Sequence, residues 1–513
     1  MNITLIQAAT MGVSVTVLGC GTAATLCGCA EHQCEVSFTC VEEAELICVA
    51  DPASERAEDR CGIFVSLSLG DDANPGTRDQ PVGTFERAIS LARLGPLRVY
   101  ACAEVFPEAI TVPSGVEVWG GLDCAHDWIY IGDSRRTVLA PAPDMIPLQV
   151  KATELEGIST LADLRLEAAD ASVPGGSSIA MLVLPGVAME LRRSELVAGD
   201  GADGESGEWG DEMPAKGGAP GNWGATACSA DSVPGAPPVI TVCGGVQTLG
   251  GKGGDGNAAL GGSGNDGQPE PLPNPEGWGL GGSGETAGMQ CDAGENGENG
   301  IDGLHGEGAR GAGRITFQGW AGERGGDGSN GRPGQGGGGG GGSRGGTLFC
   351  GLSPNTPKGG ASGGSGGGGG CGGKGGRGGG FGGASIGLVS FSGDVSLNAT
   401  SILTGDGGDG GAGGLAQIGG AAGLPGVGGM SAGGSHPGCA GGWGGVGGNG
   451  GYGGGGFGGP SLGVAHLLGQ PAALHDSAVK TGMPGKGGSG GNPAVPGSAG
   501  DDGLRVDTLA FPQ

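Results

Sequence analysis

The chain has 513 residues, of which 130 are glycine, while 4% are aromatic and 15% are charged. Glycine at this level, without a strict triplet throughout, is typical of low-complexity sequence, so a conventional core has to come from the minority of segments rich in Val, Ile and Leu. A net charge of −28 excludes a protein that binds nucleic acid through phosphates, because that needs clustered Lys and Arg. Fifteen cysteines indicate an oxidising compartment.

Residues 1–28 are small and apolar, like the core of a secretory signal. Leu26-Cys27-Gly28-Cys29 resembles a bacterial lipobox, which implies that Cys29 is lipidated, and Val17-Leu18-Gly19-Cys20 is a second match. The alternative is an N-terminal strand or a buried helix. We therefore expect a secreted protein or an outer-surface lipoprotein of the bacterial cell envelope, which meets the membrane only through an N-terminal lipid anchor.

Residues 29–61 form a small segment in which four cysteines lie among acidic residues: Cys34, Cys40, Cys48 and Cys61. Four cysteines at this density predict a disulfide knot with three alternative connectivities. A zinc site is the alternative, although no Cys-x-x-Cys pair occurs here. The other disulfide candidates lie further along the chain: Cys102, Cys124, Cys228, Cys243, Cys291, Cys350, Cys371 and Cys439.

Residues 65–123 alternate strand and turn patterns around one amphipathic helix. The alternation of Val65, Leu67 and Leu69 predicts a strand, and residues 71–76 are typical of a turn. Thr84 is a predicted N-cap, and the helix after it has an apolar face formed by Phe85, Ala88, Ile89 and Ala92. Further short strands are predicted from positions 97, 110 and 116.

A spaced motif runs through this stretch: Gly70, Asp72, Asn74, Pro75, Gly76, Thr77, Pro81, Thr84 and Ala88. It resembles the opening of the pectin-lyase-like right-handed parallel β-helix family, where such a motif leads into a helix that caps the first coil. The resemblance implies an all-β fold with an N-terminal capping helix, and Cys102 with Cys124 could then join adjacent coils. An open solenoid end needs such a cover, because it exposes unpaired backbone and core.

A unit of alternating apolar residues that ends in a glycine tract occurs three times, at 178–204, 385–411 and 461–488. The matching positions are Leu191, Ser194, Leu196 and Gly199; Leu397, Thr400, Ile402 and Gly405; and Leu474, Ser477, Val479 and Gly482. We therefore expect a capped β-helix over 62–200, a glycine-rich insertion with short returning strands over 201–383, and a β-helix coil over 384–405. A second glycine-rich insertion at 406–459 and one or more terminal coils at 460–513 follow.

The glycine tracts show a local period of three. Trp443, Val446, Asn449 and Tyr452 lie three apart in one tract. A polyproline-II helix has three residues per turn, so bare edges of neighbouring glycine helices can hydrogen-bond laterally. The alternative is a solvated, disordered loop. The composition resembles that of PGRS-type surface proteins, which implies surface exposure and a binding function that is not well defined.

Candidate chemical sites are few. Ser385 and Ser461 lie in G-x-S-x-G patterns, but both open the internal repeat, which favours structural serines. Four aspartates at or near Gly-Asp-Gly sequences are the candidate ligands for the one cofactor considered, calcium: Asp200, Asp203, Asp406 and Asp409. The nearest approach to a carbohydrate-active cluster is Glu190, Arg192, Arg193 and Glu195.

The predicted function is that of a non-enzymatic surface protein, structural or adhesive, with exposed tryptophans as contact points. Its expected partners are cell-surface polysaccharide or other surface proteins. The alternative, by analogy of fold, is a carbohydrate-active enzyme of the β-helix class. A further alternative is binding to ice or a mineral surface by sheets of glycine helices.

Overall fold

A computed structural model describes Cys48 and residues 51–155, 157–346 and 358–512. Contacts divide the chain into two compact units, Met1–Glu55 and Arg56–Gln513, and every element below lies in the second. The predicted signal segment and most of the small cysteine-rich segment lie outside the described residues. Among the described helices, none has the length and apolar character needed to cross a membrane.

The fold is all-β and is built on three parallel sheets. Sheet A contains β1 (Ile63–Val65), β2 (Arg98–Cys102), β5 (Glu117–Asp123), β9 (Ile158–Ala162), β12 (Ala188–Arg192), β21 (Val395–Asn398) and β24 (Ala473–His475), with β6 (Ile129–Tyr130) antiparallel to β5. Sheet B contains β3 (Val105–Phe106), β7 (Thr137–Leu139), β10 (Leu164–Ala168), β13 (Glu195–Ala198), β22 (Ser401–Thr404) and β25 (Ala478–Lys480). Sheet C contains β4 (Ile110–Pro113), β8 (Leu148–Lys151), β11 (Ser178–Val183), β20 (Ser385–Ser390), β23 (Ser461–Leu467) and β26 (Arg505–Phe511).

From β2 onward the chain visits sheets A, B and C in the same order six times. Each such coil adds one strand to every sheet, an order that is compatible with the predicted parallel β-helix. Side chains that alternate along the strands meet between the sheets, where Leu161, Leu166 and Leu191 are fully buried in one continuous apolar cluster. The burial of these side chains is the main source of stability of the sheets.

The predicted capping helix is confirmed as α1 (Phe85–Ala92). The Thr84 hydroxyl accepts a hydrogen bond from the Arg87 N–H, as an N-cap does, and the predicted apolar face is buried against β1, β2 and β4. The motif residue Asp72 holds the entry to the helix, because its carboxylate accepts the N–H groups of Gly83 and Thr84 at 2.9 and 3.0 Å. Two short 3-10 helices lie at Asp59–Cys61 and Cys124–His126.

The three copies of the internal repeat stack in register, as their alignment predicts. Ser178, Ser385 and Ser461 are consecutive partners in sheet C. Likewise the repeat leucines of β12, β21 and β24 are consecutive partners in sheet A. Each repeat therefore occupies one level of the sheets.

All three long glycine tracts leave the sheets and return to them at the same corner. They leave after β13, β22 and β25, the last three strands of sheet B, and return at β20, β23 and β26, the last three strands of sheet C. Because these strands are neighbours, the tracts start and end beside one another. This common origin brings glycine tracts that are distant in sequence into contact.

Three antiparallel strand pairs interrupt the first tract: β14 (Ser232–Val233) with β17 (Gly256–Asn257), β15 (Val239–Cys243) with β16 (Val246–Gly250), and β18 (Arg314–Thr316) with β19 (Gly319–Ala321). The last pair returns to the sheets, since Ile315 and Trp320 belong to the same apolar cluster as Ile386 of sheet C. Strand β15 contacts a glycine tract, where the Thr241 hydroxyl accepts the Ala219 N–H.

Candidate functional site

The glycine tracts hydrogen-bond to one another at every third residue. Gly408 and Gly411 donate to the carbonyls of Gly383 and Gly380 at 2.9 and 2.8 Å, and Gly414 donates to Arg377 at 2.7 Å. Segments 201–227, 325–343 and 438–456 bond to segment 362–383 with the same three-residue period. This is the period of the polyproline-II helix, whose backbone groups all point outward and are free to bond laterally. We call this assembly the glycine bundle.

At most glycine positions the interior of the glycine bundle has no room for a side chain, although small polar ones such as Ser362 and Ser365 are buried there. A Cβ atom placed on Gly366 would lie 1.8 Å from the carbonyl oxygen of Gly337. One placed on Gly456 would lie 1.8 Å from the carbonyl oxygen of Gly380. Backbone thus packs directly on backbone, and at these positions only glycine permits so close an approach.

Segments 408–430, 438–456 and 294–307 form one outer layer of the bundle. The middle segment joins the other two, since Gly441 donates to Gly426 at 2.9 Å and Gly297 donates to Trp443 at 2.8 Å. Because the helix repeats every three residues, side chains of one residue class form a row along each segment. The first row is Leu415, Ile418, Ala421, Leu424, Val427 and Met430, and the second is Trp443, Val446, Asn449 and Tyr452.

These two rows, which we call the apolar rows, expose large side chains to solvent. Ile418 is 63% exposed, Val427 57% and Met430 72%. In the second row Trp443 is 47% exposed and Val446 44%. Contiguous exposed apolar side chains on a soluble protein mark interaction surfaces more often than single ones do.

Polar side chains of segment 294–307 fix the second row. The Oδ1 atoms of Asn296 and Asn299 accept the N–H groups of Trp443 and Val446, both at 2.9 Å. Asp302 and His305 accept the next two N–H groups of the row, those of Asn449 and Tyr452, at 2.6 and 3.1 Å. These side chains replace the backbone acceptor that an edge segment lacks, so the row is held by hydrogen bonds along its length.

The four candidate calcium ligands make the same kind of contact. The carboxylates of Asp200 and Asp203 each accept the N–H of the equivalent aspartate of the next tract, Asp406 and Asp409, at 2.7 Å. Those two in turn accept N–H groups of the third tract. Among the described residues, the one cluster of three metal-binding side chains is Cys102, Glu104 and Cys124, whose two cysteines form a disulfide. Calcium binding at the aspartates stays a prediction.

Both serines of the G-x-S-x-G patterns are structural. Ser385 and Ser461 are fully buried at the starts of β20 and β23. Their hydroxyls donate to the carbonyls of Gly199 and Gly405 at 2.7 and 2.9 Å, where each tract leaves the sheets. Neither serine lies at a strand-to-helix turn, which a nucleophile elbow requires.

The charged cluster around β12 and β13 consists of ion pairs. Glu190 bonds to Arg192 at 2.5 Å, and Arg193 bonds to Asp163 at 2.7 Å. Glu195 bonds to Arg165 at 2.7 Å and also to Arg136. Each carboxylate is thus matched by a guanidinium group: the Glu190–Arg192 pair lies within β12, whereas the pairs of Glu195 with Arg165 and of Arg193 with Asp163 join neighbouring coils.

Disulfide bonds occur both within the sheets and within the glycine-rich part of the chain. Cys102 and Cys124 form a disulfide between β2 and the end of β5, which are neighbours in sheet A. Within the glycine-rich part, Cys243 bonds to Cys371 and Cys291 to Cys439. Cys48, Cys61 and Cys228 are also disulfide-bonded. The lipidation candidate Cys29 and the disulfide candidates Cys34, Cys40 and Cys350 lie outside the described residues.

The tryptophans fall into a buried group and an exposed group. Three are buried in or against the sheets: Trp119, Trp128 and Trp320. The other four are exposed and lie in the glycine-rich part: Trp209, Trp223, Trp278 and Trp443. The expectation that tryptophans on glycine loops are accessible for contact is therefore correct for these four.

The first apolar row is the feature that the sequence predictions missed. The signal is present, since large apolar residues recur three apart between positions 415 and 430. The second row shows the same period more plainly, because Gly-Gly pairs separate its side chains.

A search against protein-family models found no match, nor did searches of the curated proteins and of the solved structures. The function is therefore inferred from the geometry of this chain alone.

Proposed function

We propose that the protein is a non-enzymatic, secreted or cell-surface adhesive protein. Its sheets would form a right-handed parallel β-helix of the pectin-lyase-like kind, and its glycine bundle would present the binding surface. The six equivalent coils and the helix over the first coil support this architecture. The observation that carries the function is the pair of exposed apolar rows on a layer that is hydrogen-bonded throughout.

A rigid layer of this kind suits adhesion to an extended surface. Successive side chains of a row lie about 9.3 Å apart, because a polyproline-II helix rises about 3.1 Å per residue. The segments are already ordered, so contact costs little conformational entropy. Tryptophan and tyrosine faces supply large contact areas, and the flanking Asn299 and His305 add polar groups.

We infer that the partner is a cell-surface polysaccharide. Sugar rings offer both an apolar face, which stacks on aromatic side chains, and hydroxyls that bond to amides and imidazoles. The negative charge of the chain favours a neutral or cationic polymer over an acidic one. Attachment through a lipid on Cys29 would place the bundle outside the cell.

The test is co-sedimentation of the full chain with insoluble polysaccharides of neutral and cationic type. Replacing Ile418 and Trp443 by alanine should weaken binding by about tenfold or more, because aromatic and apolar anchors dominate such contacts. Ile158→Ala is the matched control, since Ile158 is 61% exposed and Ile418 is 63% exposed, but Ile158 lies on β9 of sheet A.

Equal binding by the double variant and the control would contradict the proposal. The same incubations report on the alternative function, because release of soluble oligosaccharide would indicate a carbohydrate-active enzyme. We expect no release.

A further inference from the structure

A second candidate surface lies along the outer edge of sheet C, at the end of the sheet away from the strands where the glycine tracts return. Strand β4 is the first strand of this sheet, and its one neighbour among the described strands is β8. The Ile110 N–H donates to the carbonyl of the residue before β8, and the Ser114 N–H donates to the carbonyl of the last residue of β8, both at 2.9 Å. Because successive residues of a strand point their backbone groups to opposite sides, the N–H and C=O of Thr111 point away from β8.

Helix α1 forms the opposite wall of a groove along this edge. The groove has a volume of about 700 Å³ and is lined by Ile89, Ser90 and Arg93 of the helix and by Thr111 and Pro113 of β4. Thr111 is exposed at its floor. A free strand edge beside a helix is the geometry in which proteins accept an added strand, with main-chain hydrogen bonds supplying affinity.

The two ends of the groove carry opposite charge. Glu108 lies at the N-terminal end of the helix, where its carboxylate accepts the Phe85 N–H at 3.1 Å, and Glu86 is beside it. Arg93 ends the helix, and Lys151 is the register partner of Pro113 at the far end of β4. In the described chain the ion pairs involve neither Arg93 nor Lys151 nor Glu86. These charges are therefore available to a ligand.

We propose that this groove binds an extended peptide segment of another protein as a strand parallel to β4. A parallel strand places its N-terminal end at Glu86 and Glu108 and its C-terminal end at Arg93 and Lys151. The charges thus select a segment that begins with basic residues and ends with acidic ones. Pro113 has no N–H, so the added strand is short and bonds mainly to Thr111.

The alternative is that α1 merely shields the edge, as helices over sheet edges often do. Binding of two synthetic peptides to the full chain distinguishes these cases. One peptide has two lysines, a Val-Thr-Val centre and two glutamates, in that order, and the other has the lysines and glutamates exchanged. We expect the first to bind at least about tenfold more tightly, and we expect the Thr111 N–H to become protected from hydrogen exchange on binding.

Charge-reversing variants test the orientation. Glu86→Lys combined with Arg93→Glu should abolish the preference between the two peptides, because each end of the groove then carries one charge of each sign, while Arg87→Glu, on an exposed position of the same helix outside the groove lining, should leave the preference unchanged. An unchanged melting temperature shows that the variants fold. Equal affinity of the unaltered chain for both peptides, no binding of either at about 1 mM, or binding that leaves the Thr111 amide unprotected would each overturn the proposal.

Discussion

The sheets and the glycine bundle fill their interiors in opposite ways. Between the sheets, side chains such as Leu161 and Leu191 meet in an apolar cluster that excludes water. In the bundle, the carbonyl oxygens of one segment occupy the positions that side chains of the neighbouring segment would need. The first interior is stabilised by burial of apolar side chains, and the second by lateral backbone hydrogen bonds between segments that carry few side chains inward.

The difference predicts opposite tolerance to substitution. A smaller residue between the sheets leaves a cavity, whereas the closely packed glycines of the bundle have no side chain to lose. A larger residue in the bundle meets backbone that cannot move aside. The comparison can therefore be tested by removing a side chain from one part and adding one to the other.

The largest effect is expected from Gly366→Val. The new Cβ would lie 1.8 Å from the Gly337 carbonyl oxygen, so segments 362–383 and 325–343 have to separate. We expect a loss of at least about 3 kcal/mol in the free energy of unfolding of the bundle, measured by denaturant titration with tryptophan fluorescence. Ala421→Val, on the exposed first apolar row, is the control and should change stability little. Equal midpoints for the two variants would contradict a closely packed bundle.

Leu191→Ala tests the other interior. Leu191 is fully buried in β12 between its register partners Leu161 and Leu397. Truncation should lower the free energy of unfolding by about 2–5 kcal/mol through the cavity it leaves. Leu415→Ala, on an exposed row of the bundle, provides the comparison. An equal loss in the free energy of unfolding for Leu191→Ala and Leu415→Ala would contradict this prediction.

The smallest effect on the sheets is expected from deletion of residues 405–459. The hydroxyls of Thr404 and Ser461 lie 2.7 Å apart, so the new junction from Thr404 to Pro460 needs little rearrangement. Limited proteolysis should still release a resistant core containing β20 and β23, although the rest of the bundle loses two of its segments. Rapid digestion throughout would show that the sheets depend on the bundle.

Features fixed by local pattern were predictable from the sequence. The cap Thr84 and the apolar face of α1 follow from short-range geometry, and the stacking of Ser178, Ser385 and Ser461 follows from the repeat. The apolar residues of β15 indicate a strand but do not by themselves identify its partner. Its true partner, β16, follows after a two-residue turn at Gly244 and Gly245, both with positive φ, a hairpin signal in the sequence.

The candidate surface was predictable only in part. A period of three indicates which residues share a row, and this holds for Trp443 and Tyr452. It does not indicate which segments become neighbours, because the lateral bonds join backbone groups that every glycine offers alike. The neighbours are set instead by the common corner at which the tracts leave and rejoin the sheets. The position of that corner depends on the strand order of the whole fold, which a local sequence pattern does not show.

Amide hydrogen exchange resolved by residue tests the central claim most directly. In segment 408–430 the N–H groups of Gly408, Gly411 and Gly414 bond to segment 362–383. We predict that these amides are protected as strongly as those of the sheets, and that from Gly420 to Gly429, where every third N–H bonds to segment 362–383, protection recurs at every third residue. Complete exchange of the glycine tracts within the dead time, while the sheets stay protected, would contradict an ordered bundle.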